Sequence, residues 1–307
     1  MNVVITISHL NPNFRSKIAG FDLDHTLIKP KNAKTFSQNE DDFTLYFPHT
    51  LDIIQKFYDE GFMIVIITNQ SRLYKYSLIE KFLSIVKTPL IMIIGNKDIR
   101  KPQIELFQHL FTIFPTKSMS NINLNESFYV GDAGGELGDF SDSDKQFAQN
   151  IGIKFIHTNK MMRTDYKKSN RRELIIMMGF PASGKSTYAK SIYDNNPGCY
   201  EIISGDELKT EKKIIKKAME FIKTTDKNII VDATNMSKKK REPLIELAKQ
   251  NNLKPVIIYS QTSMDKSMVY NQLRDKEKQI PKIAYYKLRK NMEEPDENNA
   301  DVFYVGI

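Results

Sequence analysis

A single cysteine, Cys199, occurs in 307 residues, so no intrachain disulfide can form. That scarcity suits a reducing compartment. No apolar run approaches membrane-spanning length, which argues against a transmembrane helix. The opening segment MNVVITISHLNPNF has no basic stretch leading into an apolar core, so it does not read as a secretory signal. Internal repeats and low-complexity tracts are also missing. A soluble intracellular protein is expected, with no membrane partner. The length suits about two domains, each able to bury its own core.

Charge is unevenly placed. Residues 1–165 carry 18 Lys+Arg and 18 Asp+Glu, whereas residues 166–307 carry 27 and 19. The whole formal excess of +8 therefore lies in the second half. Lys212, Lys213, Lys216, Lys217 and the run Lys238 to Arg241 fit either polyanion binding or a solvated helix face. The KKKR run reads as the opening of a helix.

Apolar runs alternate with helical periodicity along the first half. Strands are predicted at 17–23, 62–68, 89–95, 127–131 and near Lys154. Helices are predicted at about 51–60, from 69 to about 86, at 103–114 and at 143–150. Residues 161–172 read as a linker. Strands return at 173–179, 200–204, 228–233 and 255–260, with lysine-rich helices between them. Runs of this kind predict parallel sheets covered on both faces. The fold class is α/β, with two doubly wound parallel-sheet domains at 1–160 and 173–307. The chemical motifs fall just after strand C-termini, where open parallel sheets bind ligands.

The first motif is DLDHT, residues 22–26. Asp22 is placed to attack phosphorus and carry an aspartyl-phosphate. Asp24 is placed to protonate the leaving oxygen and then to deprotonate water. Two carboxylates so close call for a divalent cation, so both are candidate ligands. Thr68, at a strand end with Asn69 beside it, is a candidate phosphate contact. Lys101 can neutralise the charge of Asp22 and phosphate. Asp132, after the strand SFYVG, supplies another metal carboxylate. The intervals of 44 residues from Asp24 to Thr68 and 33 from Thr68 to Lys101 are mostly taken up by a helix and a strand. Neither leaves room for a cap domain, so an open site suited to a macromolecular end is expected.

The second motif, GFPASGKS at 179–186, fits G-x4-G-K-[ST] between a strand and a helix. Gly179, Pro181, Ala182, Ser183, Gly184, Lys185, Ser186 and Thr187 are the candidate triphosphate-binding residues. Lys185 would reach the β- and γ-phosphates and Ser186 would hold Mg²⁺. Asp206, after strand 200–204, is a candidate base for an attacking hydroxyl, or else a helix first-turn acid. Asp232 and Asn235 lie in VDATN, after another predicted strand, and Asp232 is a candidate for a magnesium-side or substrate contact. Arg274 and Arg289 are alternative lid arginines.

Strand-DLDHT, strand-TNQ, RKP and strand-GD, in that order, resemble the haloacid-dehalogenase-like phosphatases over about residues 15–157. The whole chain resembles the bifunctional polynucleotide kinase 3′-phosphatases of DNA strand-break repair. IAGFDLDHTLIKPKNAKTF, VIITNQ, RKPQIELF, GFPASGKST, DATNMSKKKR and NQLRDKEKQIP carry that resemblance. It implies an uncapped phosphatase followed by a P-loop kinase. Asp22 is implied as nucleophile, Asp24 as acid/base and Asp132 as metal ligand, with Thr68 and Lys101 at the phosphate. In the kinase it implies Lys185 and Ser186 in the phosphate loop, Asp206 as base and Arg274 in the lid. Mg²⁺ and ATP are the implied cofactors, and DNA strand-break termini the implied partner, with RNA ends as the alternative. A small-molecule phosphatase fused to a kinase is a further reading. A monomer is expected. Animal relatives carry an N-terminal forkhead-associated domain; only about 15 residues precede the first predicted strand here, so scaffold binding of that kind is not expected. The family pattern has a basic residue where Glu136 stands and a longer basic loop after it. Asp144 is a further candidate in that divergent motif. His25 fills a position where glycine is common.

Overall fold

Strings of β-branched and other apolar residues set the centres of two sheets. Met63–Asn69 (MIVIITN) and Leu90–Gly95 (LIMIIG) are buried along nearly their whole length. Glu173–Met178 (ELIIMM) is buried throughout. Strands buried on both faces read as continuous apolar runs, not as alternation. The computed structural model describes residues 4–31, 35–161, 164 and 166–306. The chain divides into two compact units, Met1–Met162 and Arg163–Ile307.

The first unit contains β1 (Ile5–His9), β2 (Ile18–Phe21), β3 (Ile28–Lys29), β4 (Thr44–Leu45), β5 (Met63–Asn69), β6 (Leu90–Gly95), β7 (Phe128–Gly131) and β8 (Lys154–His157). Six of them form a sheet in the order β1-β6-β5-β2-β7-β8, and β3 pairs with β4 as a small hairpin. One correction concerns the edge. The sheet is not wholly parallel, because β1 runs antiparallel to β6, from Ile5 against Ile94 to His9 against Leu90. The residues before position 17, for which no strand is predicted, thus supply one. Their ITISH pattern is half-exposed, as an edge strand requires. A second correction concerns the helix predicted at 103–114. It breaks into Glu105–Gln108 and Leu110–Ile113 around His109, while Leu106, Phe107 and Leu110 still reach the core. Helices Thr50–Asp59, Tyr74–Ile85 and Ser143–Ile151 cover the sheet. Gly131 ends β7 beside the last of these. A Cβ there would lie 2.2 Å from Asp144 Oδ2, so only glycine lets that carboxylate come so close.

The second unit contains β9 (Glu173–Met178), β10 (Tyr200–Ser204), β11 (Asn228–Asp232), β12 (Lys254–Ser260) and β13 (Asp301–Val305). The order is β10-β11-β9-β12-β13, and every pair is parallel. β13 was not foreseen; its apolar run is short, and its pairing with β12 supplies what its sequence lacks. Of the predicted linker, residues 162, 163 and 165 lie outside the described residues. Thr164 is tied to β13: its amide donates to the Tyr304 carbonyl at 2.7 Å, and the Tyr304 amide donates to Thr164 Oγ1 at 2.6 Å. No helix among the described residues is long and apolar enough to cross a membrane.

Candidate active sites

Asp22 directly follows β2, a strand buried at every position. Its amide donates to the Val130 carbonyl at 2.8 Å, which fixes the strand end against β7. Lys101, itself buried, donates through Nζ to Asp22 Oδ1 at 2.5 Å, to Asp144 Oδ1 at 2.6 Å and to the Tyr129 hydroxyl at 3.0 Å. Tyr129 in turn donates to the Ile67 carbonyl at 2.7 Å. Asp144 Oδ2 accepts from the Ala133 amide at 3.1 Å. Carboxylate oxygens of Asp22, Asp132 and Asp144 lie within 4.8 Å of one another. One ammonium among three carboxyl groups gathers hard oxygen donors, which suit a divalent cation once ionised.

The electrostatics agree with that reading. Burial pushes the Asp22 carboxyl up to about 8; Lys101 opposes the shift, and Asp144 and Asp132 add to it. Burial, then repulsion from Asp144, pushes Asp132 up to about 7. Burial works against the charge on Lys101, yet Asp144 and Asp22 together hold its pKa well above the ordinary value.

Asp24 lies apart from this group. Lys75 Nζ donates to its Oδ1 at 2.6 Å and Gln70 Nε2 to its Oδ2 at 2.7 Å. Its carboxylate is therefore held by Lys75 and Gln70, not among the three clustered carboxylates. Thr68 is buried at the end of β5, where Gln70 Nε2 also donates to its hydroxyl at 2.8 Å. Asn69, expected at the phosphate, accepts from the Lys101 amide through Oδ1 at 2.9 Å and so positions the lysine.

Exposed aromatics lie in the loop after β7 and in the segment between β3 and β4. Phe140 is 86% exposed and Phe36 42% exposed, and their rings meet edge-on at 6.2 Å. The His25 ring lies 6.4 Å from Phe36, and the Arg72 guanidinium lies 6.0 Å from it. His25 adopts a φ of 57°.

In the second unit the phosphate loop leaves β9, the middle strand. Gly184 has a φ of 88°, a left-handed conformation that favours glycine, and it opens the helix Lys185–Asp194. The Ser183 carbonyl accepts from Ser260 Oγ at 2.7 Å and Thr262 Oγ1 at 3.1 Å, bracing the loop against the end of β12. Lys185 Nζ donates to the Phe180 carbonyl at 2.5 Å. Burial pushes Lys185 down to about 8, while Asp232 and Asp206 pull the other way. Burial raises the Asp232 carboxyl, opposed first by a hydrogen bond with Ser186 and then by Lys185. Ser186 and Thr187 are exposed. Asp206 is also exposed, in the short helix Gly205–Leu208, where Ser204 Oγ accepts from the Glu207 amide at 3.3 Å.

The two candidate lid arginines separate. The charge of Arg274 is felt by both Lys185 and Tyr285. Arg289 instead lies 5.5 Å from the Tyr286 ring. Tyr285, not singled out in the sequence, anchors the helix Lys282–Lys290 to the phosphate loop. Its hydroxyl donates to the Pro181 carbonyl at 3.0 Å, and its ring stacks on Phe180 at 6.2 Å. Asn235 braces the strand behind the loop, donating through Nδ2 to the Met177 carbonyl at 2.9 Å.

Comparison with known proteins follows the same division. Residues 17–162 match the family described as polynucleotide kinase 3 phosphatase, and residues 174–295 match an AAA domain family. The chain is similar to the bifunctional polynucleotide phosphatase/kinase of Schizosaccharomyces pombe, at 30% identity over 318 residues, spanning 91% of this chain and 76% of that protein. A protein of Acanthamoeba polyphaga mimivirus named for the same two activities is 27% identical, spanning 93% of this chain and 83% of its own. The polynucleotide 3′-phosphatase ZDP of Arabidopsis thaliana is 32% identical over 167 residues, or 47% of this chain and 23% of that one. A similarity of 30% identity that spans both units leaves one conclusion: this chain belongs to the family of bifunctional polynucleotide phosphatase/kinases.

Proposed function

We propose that the chain heals DNA strand breaks, removing 3′-phosphates in its first unit and phosphorylating 5′-hydroxyls with ATP in its second. The observation that carries the first half is the arrangement at Asp22. Its carboxylate is held by Lys101 beside Asp132 and Asp144, while Asp24 is held separately by Lys75 and Gln70. An Asp22 oxygen attacks phosphorus as the bond to the 3′-oxygen breaks, and Asp24 gives that oxygen its proton. Water then attacks the aspartyl-phosphate, Asp24 takes a proton from it, and inorganic phosphate leaves with Asp22 restored. Lys101 and Thr68 stabilise charge on the transferring phosphoryl group. Mg²⁺ at Asp22 and Asp132, with Asp144 alongside, would neutralise further charge there.

For the kinase, Lys185 and the loop amides hold the triphosphate. Asp206 takes the proton from the 5′-hydroxyl as its oxygen attacks the γ-phosphorus and ADP departs. Ser186, bonded to Asp232, fits a magnesium ligand with the carboxylate behind it. Arg274 supports the departing charge.

Two features support a polynucleotide over a small metabolite. Phe36, Phe140 and Arg72 offer stacking surfaces for bases at an open site. The second half carries the whole +8 excess, which favours a polyanion. The test is a nicked duplex bearing 3′-phosphate and 5′-hydroxyl, supplied with Mg²⁺ and ATP, with matched RNA alongside. Wild type should repair both DNA termini, Asp22→Ala should lose only phosphatase activity and Lys185→Ala only kinase activity. Preferential action on RNA would replace DNA as the substrate. Cleavage of small phosphomonoesters with neither polymer touched would sink the end-healing reading.

A further inference from the structure

A second group of metal-ligating side chains lies next to the phosphatase pocket. Glu136, Asp139 and His157 place one ligand atom each within 4.8 Å of one another. Glu136 and Asp139 belong to the loop between Asp132 and the helix Ser143–Ile151, and His157 ends β8. The His157 ring is 6% exposed, yet its Nε2 has no hydrogen-bond partner. Nε2 lies 3.4 Å from the Asp139 carboxylate, an ion pair when the ring is protonated, without a hydrogen bond to it. Asn159 Oδ1, two residues on, is a second buried atom left without a partner. Buried polar atoms are seldom left unsatisfied, and a place in a cation site is one reason for such an atom.

The geometry points to a second cation site, formed by Glu136, Asp139 and His157, that takes one transition-metal ion of the zinc or cobalt type. The donor set decides the class of metal. Imidazole with two carboxylates suits borderline ions such as Zn²⁺ and Co²⁺. Asp22, Asp132 and Asp144 offer only oxygen and suit Mg²⁺. The two sites are therefore separable by the metal offered.

Existing contacts must yield when the ion binds. Lys160 Nζ lies 3.4 Å from Glu136 Oε1 and competes as a cation; that pair is largely exposed and weak. The Asn159 amide lies 3.3 Å from His157 Nδ1. Metal on Nε2 requires a proton on Nδ1, so this long contact is lost, and the unpartnered Asn159 Oδ1 is an acceptor nearby in sequence for that proton. Asp139 is already oriented. Its Oδ2 accepts from the Gly134 amide at 3.2 Å and the Glu136 amide at 2.9 Å. An ion held here would join the loop that follows Asp132 to the end of β8.

The test uses the full chain, stripped of metal and then saturated with Mg²⁺ before Co²⁺ is titrated. Visible absorption reads the cobalt environment, and proton NMR reads a shifted imidazole N–H. One Co²⁺ should bind despite the Mg²⁺ and should still bind to Asp132→Asn. His157→Ala should abolish the shifted resonance and weaken binding by more than the roughly tenfold that loss of an outer-shell partner brings. Glu136→Gln, at an exposed position, should weaken it too and serves if the histidine variant does not fold. Unchanged Co²⁺ affinity in both variants overturns the site. So does cobalt binding that disappears in Asp132→Asn, which would place the metal in the phosphatase pocket.

Discussion

Lys101 donates to Asp22 at 2.5 Å while its other strong contact, Asp144, lies at 2.6 Å. The lysine therefore binds the proposed nucleophile and holds a neighbouring carboxylate in place at once. Lys101→Met keeps the volume but leaves buried carboxylates uncompensated. Phosphatase turnover on a 3′-phosphate oligonucleotide should fall about 10²–10³-fold, the scale for losing one charge-stabilising donor. Breaking a buried pair from one side should also cost about 3 kcal/mol of stability. Kinase turnover should persist at temperatures where the variant is folded. An unaltered phosphatase rate would remove Lys101 from the chemistry.

Asp22 and Asp132 imply a pH dependence with an unusual sign. Both are raised in the fold, to about 8 and about 7, from an ordinary value of 3.8. Between pH 3.8 and these values the folded protein holds protons that the unfolded chain has released. Stability of the metal-free protein should therefore fall as pH rises through that window. Mg²⁺ needs the carboxylates deprotonated, so it should bind more tightly toward pH 8 and release protons as it does so. Thermal melts in chelator at pH 6 and pH 8, repeated with Mg²⁺, check this. The melting point should drop between the two pH values and recover with metal mainly at pH 8. Asp132→Asn should flatten the drop; a drop of full size in that variant would reject the assignment.

Much of this was legible from the chain because strand ends announce themselves. Asp22, Thr68, Asp132 and the phosphate loop each follow an apolar run, and in a parallel sheet that edge is the ligand edge. Lys75 and Asp144 required a different reading. Each begins a helical stripe, Lys75 with Leu78, Ile79, Phe82 and Leu83, and Asp144 with Phe147, Ala148 and Ile151. A charge at the first position of an i, i+3, i+4, i+7 apolar stripe faces inward and needs a partner. That signal was present in the sequence and pointed to both residues. β1 and β13 were hidden for another reason: edge strands are defined by what they pair with, and a short half-exposed run does not name its partner.

Phe140 tests the size of the substrate. With 86% of its surface exposed beside Phe36, it contributes little to the core and offers a ring face to a base. Stacking of one base on an aromatic ring is worth about 1–3 kcal/mol. Phe140→Ala should raise KM for a single-stranded 3′-phosphate oligonucleotide by about fivefold or more, with kcat nearly unchanged. Hydrolysis of p-nitrophenyl phosphate should not change. Equal loss on both substrates would mean that the ring shapes the pocket itself.

Lys185 should make nucleotide binding a proton-coupled event. Burial leaves its pKa at about 8 in the nucleotide-free loop. Triphosphate favours the ammonium and must raise that value, so the complex holds a proton that part of the free protein lacks above pH 8. Binding should thus take up protons at pH 8–9, and affinity should weaken as pH rises through that range. Calorimetry in two buffers of different ionisation enthalpy measures the uptake directly. Lys185→Arg keeps a charge that does not titrate in this range, so the protein's own uptake should vanish even where affinity survives. Lys185→Met should lose both affinity and 5′-kinase turnover. If the arginine variant took up as many protons as wild type, the proton would belong to another group, and the depressed lysine would have no part in nucleotide binding.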